Sequence, residues 1–153
     1  MILQPVIRDV VTRITAKNEQ EMLALGARIG AALRAGDTVA LTGELGAGKT
    51  TLVRGLIQAE LPGIEVPSPT YTLVQTYDFP EYELWHCDLY RLKHPDEVFE
   101  IGLMDAFGEA LCLLEWPDKI GDYLPEEALK LHIRFEGEGR VIELGPEWSD
   151  RHV

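Results

Sequence analysis

Thr38-Val39-Ala40-Leu41-Thr42-Gly43-Glu44-Leu45-Gly46-Ala47-Gly48-Lys49-Thr50-Thr51-Leu52-Val53 is the stretch that decides the fold. Its middle fits the pattern G-x-x-x-x-G-K-[ST] at every specified position. A glycine-rich backbone can curl so that successive N–H groups converge on a phosphate, and the following helix adds its positive N-terminal end. Gly43, Glu44, Leu45, Gly46, Ala47, Gly48, Lys49, Thr50 and Thr51 are therefore the expected nucleotide-binding residues. Lys49 would reach the outer phosphates and the Thr50 hydroxyl would ligate a magnesium ion bridging them. The pattern implies a nucleoside triphosphate, ATP or GTP. A dinucleotide fingerprint is not formed, because the glycines fall at 43, 46 and 48.

The flanks agree with this reading. Thr38 to Thr42 is a short apolar, β-prone run of the kind a buried parallel strand shows. Beyond the loop, Leu52, Val53, Leu56 and Ile57 share one helical face, and Leu61-Pro62-Gly63 ends that helix. Upstream, Val6 to Thr15 reads as a first strand. Asn18 with Glu21 resembles a capping box opening a helix that carries Met22, Leu25, Ile29 and Leu33 on its core face, with Gly36 as its stop.

From Glu65 onward the texture changes. The prolines of Val66-Pro67-Ser68-Pro69-Thr70 favour extended backbone. Tyr71 to Asp78 and Tyr82 to Tyr90 then predict a hairpin about Phe79-Pro80-Glu81. Pro95-Asp96-Glu97 looks like a helix start. Ala110 to Leu114 is a buried strand ending in Glu115-Trp116-Pro117, and Leu129 to Phe135 with Arg140 to Leu144 bracket a terminal hairpin.

The 153 residues suit one domain with one hydrophobic core. Hydrophobic residues make up 46% of the chain, and the mean hydropathy of −0.05 is that of a globular protein. No run is long and apolar enough to span a membrane, and residues 1–9 lack the pattern of a secretory leader, so a cytoplasmic location is the expectation. Cys87 and Cys112 sit in apolar runs without metal or redox spacing and read as reduced core residues. A net charge of −12 argues against unaided binding to nucleic acid.

A magnesium–nucleotide site also needs a carboxylate near the ion and a group to orient water. Two acids qualify. Glu115 directly follows an apolar strand. Asp88 lies in Leu84-Trp85-His86-Cys87-Asp88-Leu89-Tyr90, where alternation puts His86, Asp88 and Tyr90 on one face. The plainer alternative makes Asp88 an exposed residue on the solvent side of a hairpin and His86 structural. Arg91 is either a partner of Asp88 or a phosphate ligand. Ser68-Pro69-Thr70-Tyr71 is either a rigid turn or a switch segment held by the γ-phosphate. Trp116 either packs at the strand end or covers the nucleotide.

Gly43 to Thr51, Ser68-Pro69-Thr70-Tyr71-Thr72-Leu73-Val74, His86-Cys87-Asp88-Leu89-Tyr90-Arg91-Leu92 and Glu115-Trp116-Pro117, in that order, make the chain resemble the TsaE family. These are bacterial ATPases of the machinery that makes threonylcarbamoyladenosine in tRNA. The resemblance runs from about Asn18 to Leu144. It implies a single P-loop α/β domain over residues 1–153, with a central, mostly parallel sheet flanked by helices and antiparallel hairpin additions. It further implies ATP and Mg2+ as ligands, Lys49, Asp88 and Glu115 as catalytic residues, and Thr50 and Glu115 on the metal side. Ser68-Pro69-Thr70 would be the switch, and Trp116 would lie near the nucleotide. The implied partners are the TsaB and TsaD proteins, with tRNA met only through that complex and no membrane involved. Where relatives often carry Asp, an aromatic and a threonine, this chain has Glu44, which keeps the acid, Cys87 and Met22; the last leaves that position's part in nucleotide contact open.

The implied activity is hydrolysis of ATP to ADP and phosphate, slow alone and stimulated by partners. Two alternatives differ in kind: a P-loop kinase acting on a small molecule or protein, and a non-catalytic regulator that senses ATP. Apart from Arg91, no arginine cluster of the sort a kinase lid needs lies near the motifs.

Overall fold

The computed structural model describes residues 7, 9–68 and 73–153. In chain order its elements are β1 (Thr12–Ala16), α1 (Glu19–Ala31), β2 (Thr38–Gly43), α2 (Lys49–Glu60), β3 (Val74–Asp78) and β4 (Glu83–Asp88). Two single-turn helices follow, α3 (Glu97–Glu100) and α4 (Leu103–Ala106), then β5 (Leu111–Glu115), β6 (Leu129–Glu136) and β7 (Gly139–Leu144). Short 3-10 segments occupy Pro117–Tyr123 and Pro146–Trp148.

One seven-stranded sheet runs in the order β1-β7-β6-β2-β5-β4-β3. The central strands β6, β2, β5 and β4 are mutually parallel, and the outer pairings are antiparallel. Both expected hairpins form, but neither is an appendage. Each lends one strand, β4 or β6, to the parallel centre. Every residue of β2 and β5 is buried, as their uninterrupted apolar runs require.

Alternation assigns each strand residue to a face. Val39, Leu41, Leu84, Leu111, Leu113, Leu131 and Ile133 pack with Leu25, Ile29, Leu52, Leu56 and Ile57 of α1 and α2. Cys87, Cys112 and Leu114 point the other way, against Val98, Leu103, Ala106 and Ile120. The two cysteines are free and fully buried, as expected.

Helices α1 and α2 cross almost backbone to backbone. A Cβ added at Gly26 would strike the Leu52 carbonyl, and one at Gly55 would strike that of Leu23. The crossing brings α2 down over the sheet and fixes where its first turn sits. At the start of α1, Asn18 accepts the Glu21 N–H at 2.9 Å. The return bond goes from the Lys17 N–H to the Glu21 carboxylate at 2.8 Å, so the box closes one residue earlier than its usual form.

Some sequence-based boundaries shift. The first strand covers residues 12–16 only, and Val6 and Arg8 lie outside the described residues. Helix α1 ends at Ala31 with Ala32 as its cap, so Gly36 is not its stop. Gly36, at φ +87°, instead turns the chain into β2 and donates to the Ala110 carbonyl at 3.2 Å. Of the expected strand from Tyr71, residues 74–78 are observed, and 69–72 fall outside the described residues.

Candidate functional site

Three neighbouring parallel strands end together. Leu41, near the end of β2, is the register partner of Glu115 at the end of β5, and Glu115 is the partner of Asp88 at the end of β4. Register partners in a parallel pair share a face. Glu115 therefore projects on the side of Leu111 and Leu113, where α2 lies. The carboxyl edge of a parallel sheet is where open α/β folds place ligands. Here that edge holds a cavity of about 240 Å3 lined by Lys49, Thr50, Thr51, Ser68, Asp88, Glu115 and Trp116, and by Leu45, Gly46 and Gly48 of the loop.

The loop keeps its shape through its glycines. Gly43, at φ +149°, lies so close to β6 that a Cβ would sit 2.6 Å from the Ile133 carbonyl oxygen. Gly46 and Gly48 also take positive φ, and the Ala47 N–H closes a turn on the Glu44 carbonyl at 3.0 Å. Gly43, Glu44 and Ala47 build the loop without lining this cavity, and Ala47 is buried. Leu45 is 66% exposed at the cavity mouth.

Lys49 is almost wholly buried. Its ammonium donates to the Gly43 carbonyl at 2.7 Å and lies 4.1 Å from the centre of the Trp116 ring. Burial lowers its pKa, while Glu115, Asp88 and Asp118 act to raise it. A phosphate chain in the cavity would offer that cation a stronger partner than a carbonyl.

Glu115 gathers the other side of the site. Its Oε2 accepts from the Thr50 hydroxyl at 3.3 Å and from the fully buried His86 Nε2 at 2.6 Å. A carboxylate only accepts, so the imidazole hydrogen sits on Nε2. The sequence alone offered His86 as a structural residue; the structure makes it a direct partner of Glu115. Its position two residues before Asp88, on the same face of one strand, was the signal available.

Asp88 is buried, not exposed on a solvent-facing strand, because β4 lies between β3 and β5. Its carboxylate accepts the Tyr90 N–H at 3.1 Å. Burial raises its pKa and Glu115 adds to the rise; the Tyr90 N–H, Lys49 and His86 oppose it. A carboxyl held above its ordinary range is a better proton acceptor once ionised.

Trp116 packs at the strand end and also borders the cavity. It is buried, with its ring 4.8 Å from that of Tyr90 between centroids. Its φ of +59° is rare for a bulky residue, a strain that turns the chain sharply away from the end of β5. Of the expected switch segment, Ser68 lines the cavity, and Pro69, Thr70 and Tyr71 lie outside the described residues.

The donor set suits magnesium. A threonine hydroxyl and a carboxylate share the cavity, and hard oxygen ligands are what that ion takes. Among the described residues no group of three or more His, Cys, Asp or Glu forms a metal cage. Phosphate oxygens and water would have to complete the shell, as they do in nucleotide sites.

Comparison with known proteins gives one consistent answer. A family model described as "Threonylcarbamoyl adenosine biosynthesis protein TsaE" matches residues 16–142. The tRNA threonylcarbamoyladenosine biosynthesis protein TsaE of Haemophilus influenzae is 44% identical over 107 residues, 69% of this chain and 68% of that protein. The protein of the same name from Bacillus subtilis is 39% identical over 124 residues, 79% of this chain and 76% of its own length. Among solved structures, Bacillus subtilis YdiB superposes with a TM-score of 0.70 at 28% identity, covering 92% of this chain and 87% of that one. The loop at 43–51, the acids at 88 and 115 and the tryptophan at 116 all lie within the matched span, and the chain belongs to the TsaE family.

Proposed function

We propose that this chain binds and hydrolyses ATP, with magnesium, as a subunit of the machinery that forms threonylcarbamoyladenosine in tRNA, acting on a TsaB–TsaD complex. The place in tRNA modification follows the family and its named relatives. One observation carries the hydrolytic reading. Lys49, Thr50, Asp88 and Glu115, drawn from three separate elements (the first turn of α2 and the ends of β4 and β5), line one cavity beside a glycine loop. A single sheet builds all of it, which supports reading the chain as one ATPase domain.

In this reading the loop N–H groups and Lys49 hold the phosphate chain. Thr50 and Glu115 stand where magnesium would be held, and His86 fixes the orientation of the Glu115 carboxylate. The ion supplies charge neutralisation on the phosphate oxygens when bound. Asp88 orients the attacking water and takes up its proton. Trp116 walls the cavity and limits the entry of bulk water.

Among the described residues no arginine lines this cavity, so Lys49 is its sole cationic wall. P-loop enzymes that lack an arginine beside the γ-phosphate turn over slowly until a partner supplies one. That supports slow hydrolysis alone and stimulation by the complex. With a net charge of −12, contact with tRNA would run through the partners.

The test is phosphate release by the purified chain, with and without the TsaB–TsaD pair, for wild type and Asp88→Ala. The expected result is stimulation of the wild type by the pair, with ATP binding retained and hydrolysis lost in the variant. Full hydrolysis by Asp88→Ala would overturn the assignment. Full cellular function without hydrolysis would favour an ATP sensor.

A further inference from the structure

Arg140, at the start of β7, reaches the glycine loop from outside the phosphate cavity. Its Nε donates to the Ala47 carbonyl at 3.0 Å and its Nη2 to the Gly46 carbonyl at 3.4 Å. Nη1 donates to the carbonyls of Glu138 and Gly139 at 3.0 and 2.9 Å, and the guanidinium lies 4.2 Å from the centre of the Phe135 ring. Among the described residues its hydrogen bonds go to main-chain carbonyls and none to a carboxylate. It thus brings a positive charge to an anion-binding loop in an otherwise acidic chain.

These bonds have a directional consequence. A trans peptide is planar, so a carbonyl and the N–H of the next residue point in opposite directions. No cis peptide is present among the described residues. Holding the Ala47 carbonyl towards Arg140 aims the Gly48 N–H away from it, and holding that of Gly46 turns the Ala47 N–H away as well, to the Glu44 carbonyl. Arg140 itself faces a separate cavity of about 180 Å3, bounded by Asn18, which caps α1, and Met22 within it, and sharing Gly46, Gly48 and Thr51 with the phosphate-side cavity. Glycines at positive φ on both sides of Ala47 would otherwise leave these peptide planes free to turn.

We propose that Arg140 is a positioning residue for the phosphate loop: its planar fork fixes the Ala47–Gly48 peptide so that the Gly48 N–H faces an incoming phosphate chain, and it steadies the neighbouring turn that the Ala47 N–H closes on the Glu44 carbonyl. It also ties the loop to the β6–β7 turn. The proposal rests on the reading of this loop as a triphosphate site. A lysine cannot reproduce the fork, because its donors radiate from one nitrogen.

The experiment compares wild type, Arg140→Ala and Arg140→Lys in calorimetric titrations with magnesium ATP and with magnesium tripolyphosphate, which has no base or ribose. Hydrogen exchange at the Ala47 amide is measured on the nucleotide-free proteins. The expected result is a loss of affinity for both ligands by the same factor, roughly tenfold to a hundredfold, with lysine restoring little. Exchange at Ala47 quickens in both variants, and kcat at saturating ATP changes far less than KM. Loss of ATP affinity with tripolyphosphate unaffected would overturn the proposal and make Arg140 a nucleoside contact. Full rescue by lysine, or unaltered affinity for both ligands, would also overturn it. Should Arg140→Ala not fold, Arg140→Lys and the exchange measurement decide. A wild type that binds neither ligand refutes the triphosphate reading itself, a result separate from any comparison of variants.

Discussion

Asp88 and Glu115 are register partners on adjacent parallel strands, so the pairing of β4 with β5 sets both acids beside one cavity. Nearly thirty positions separate them in the chain, yet neither needs a loop to reach the other. The C-terminal ends of β2, β5 and β4 act as one rigid edge, and the glycine loop is the continuation of the first of them.

Removing the Asp88 charge while keeping its shape separates binding from chemistry. Asp88→Asn should retain the affinity of the wild type for magnesium ATP within a few-fold and lose about a hundredfold or more in hydrolysis rate. Equilibrium binding and phosphate release on the same preparation check this.

The direction of the Asp88 shift gives a pH dependence. Burial, then Glu115, raises its carboxyl pKa above the ordinary value. Since the ionised form accepts the proton, hydrolysis should fall as pH drops through that raised pKa, and Asp88→Asn should lack this acid limb. Linkage gives the matching stability effect. An acid whose folded pKa is raised contributes stability below its unfolded pKa, and that contribution is lost as pH rises through the folded value. Above that raised pKa the ionised Asp88 therefore costs stability, and at such a pH Asp88→Asn should denature at a higher urea concentration than the wild type.

The crossing of α1 and α2 tolerates no side chain. Gly55→Ala would press a methyl group into the Leu23 backbone, which cannot move without shifting α1. A loss of about 3 kcal/mol of folding stability is expected, seen as a lower midpoint in denaturant. Gly63→Ala is the control for space, since nothing lies near a Cβ there, although its φ of +81° adds local strain.

The thiols should be silent in the native state. Burial pushes Cys112 up to about 12 and Cys87 well above its usual value, so neither forms thiolate at neutral pH. A thiol reagent should modify both in denaturant and neither in buffer, with rates that follow global unfolding.

How much of this could be read from the chain depends on where each signal resides. The loop at 43–50 and its strand and helix are local, because spacing and apolar run length encode them directly. Glu115 was legible for the same reason, as an acid closing a buried run. Asp88 was ambiguous because alternation assigns a face but does not say what covers it, and only the pairing of β4 between β3 and β5 buries it. The bond from His86 to Glu115, the glycine crossing at 26 and 55 and the reach of Arg140 to the loop join residues far apart in sequence. Each arises from packing between elements, which a residue pattern within one element does not carry. Gly36 misled for a related reason: a positive-φ glycine after a helix fits a cap, and here it serves a turn.

The most direct test of the central claim is a crystal structure of the chain with magnesium and a non-hydrolysable ATP analogue. The account predicts the γ-phosphate in the cavity between Lys49 and Asp88, the Lys49 ammonium drawn from the Gly43 carbonyl to phosphate oxygen, and the metal beside Thr50 and Glu115. A triphosphate bound elsewhere, or one held by the loop with Asp88 and Glu115 turned away from it, would contradict it.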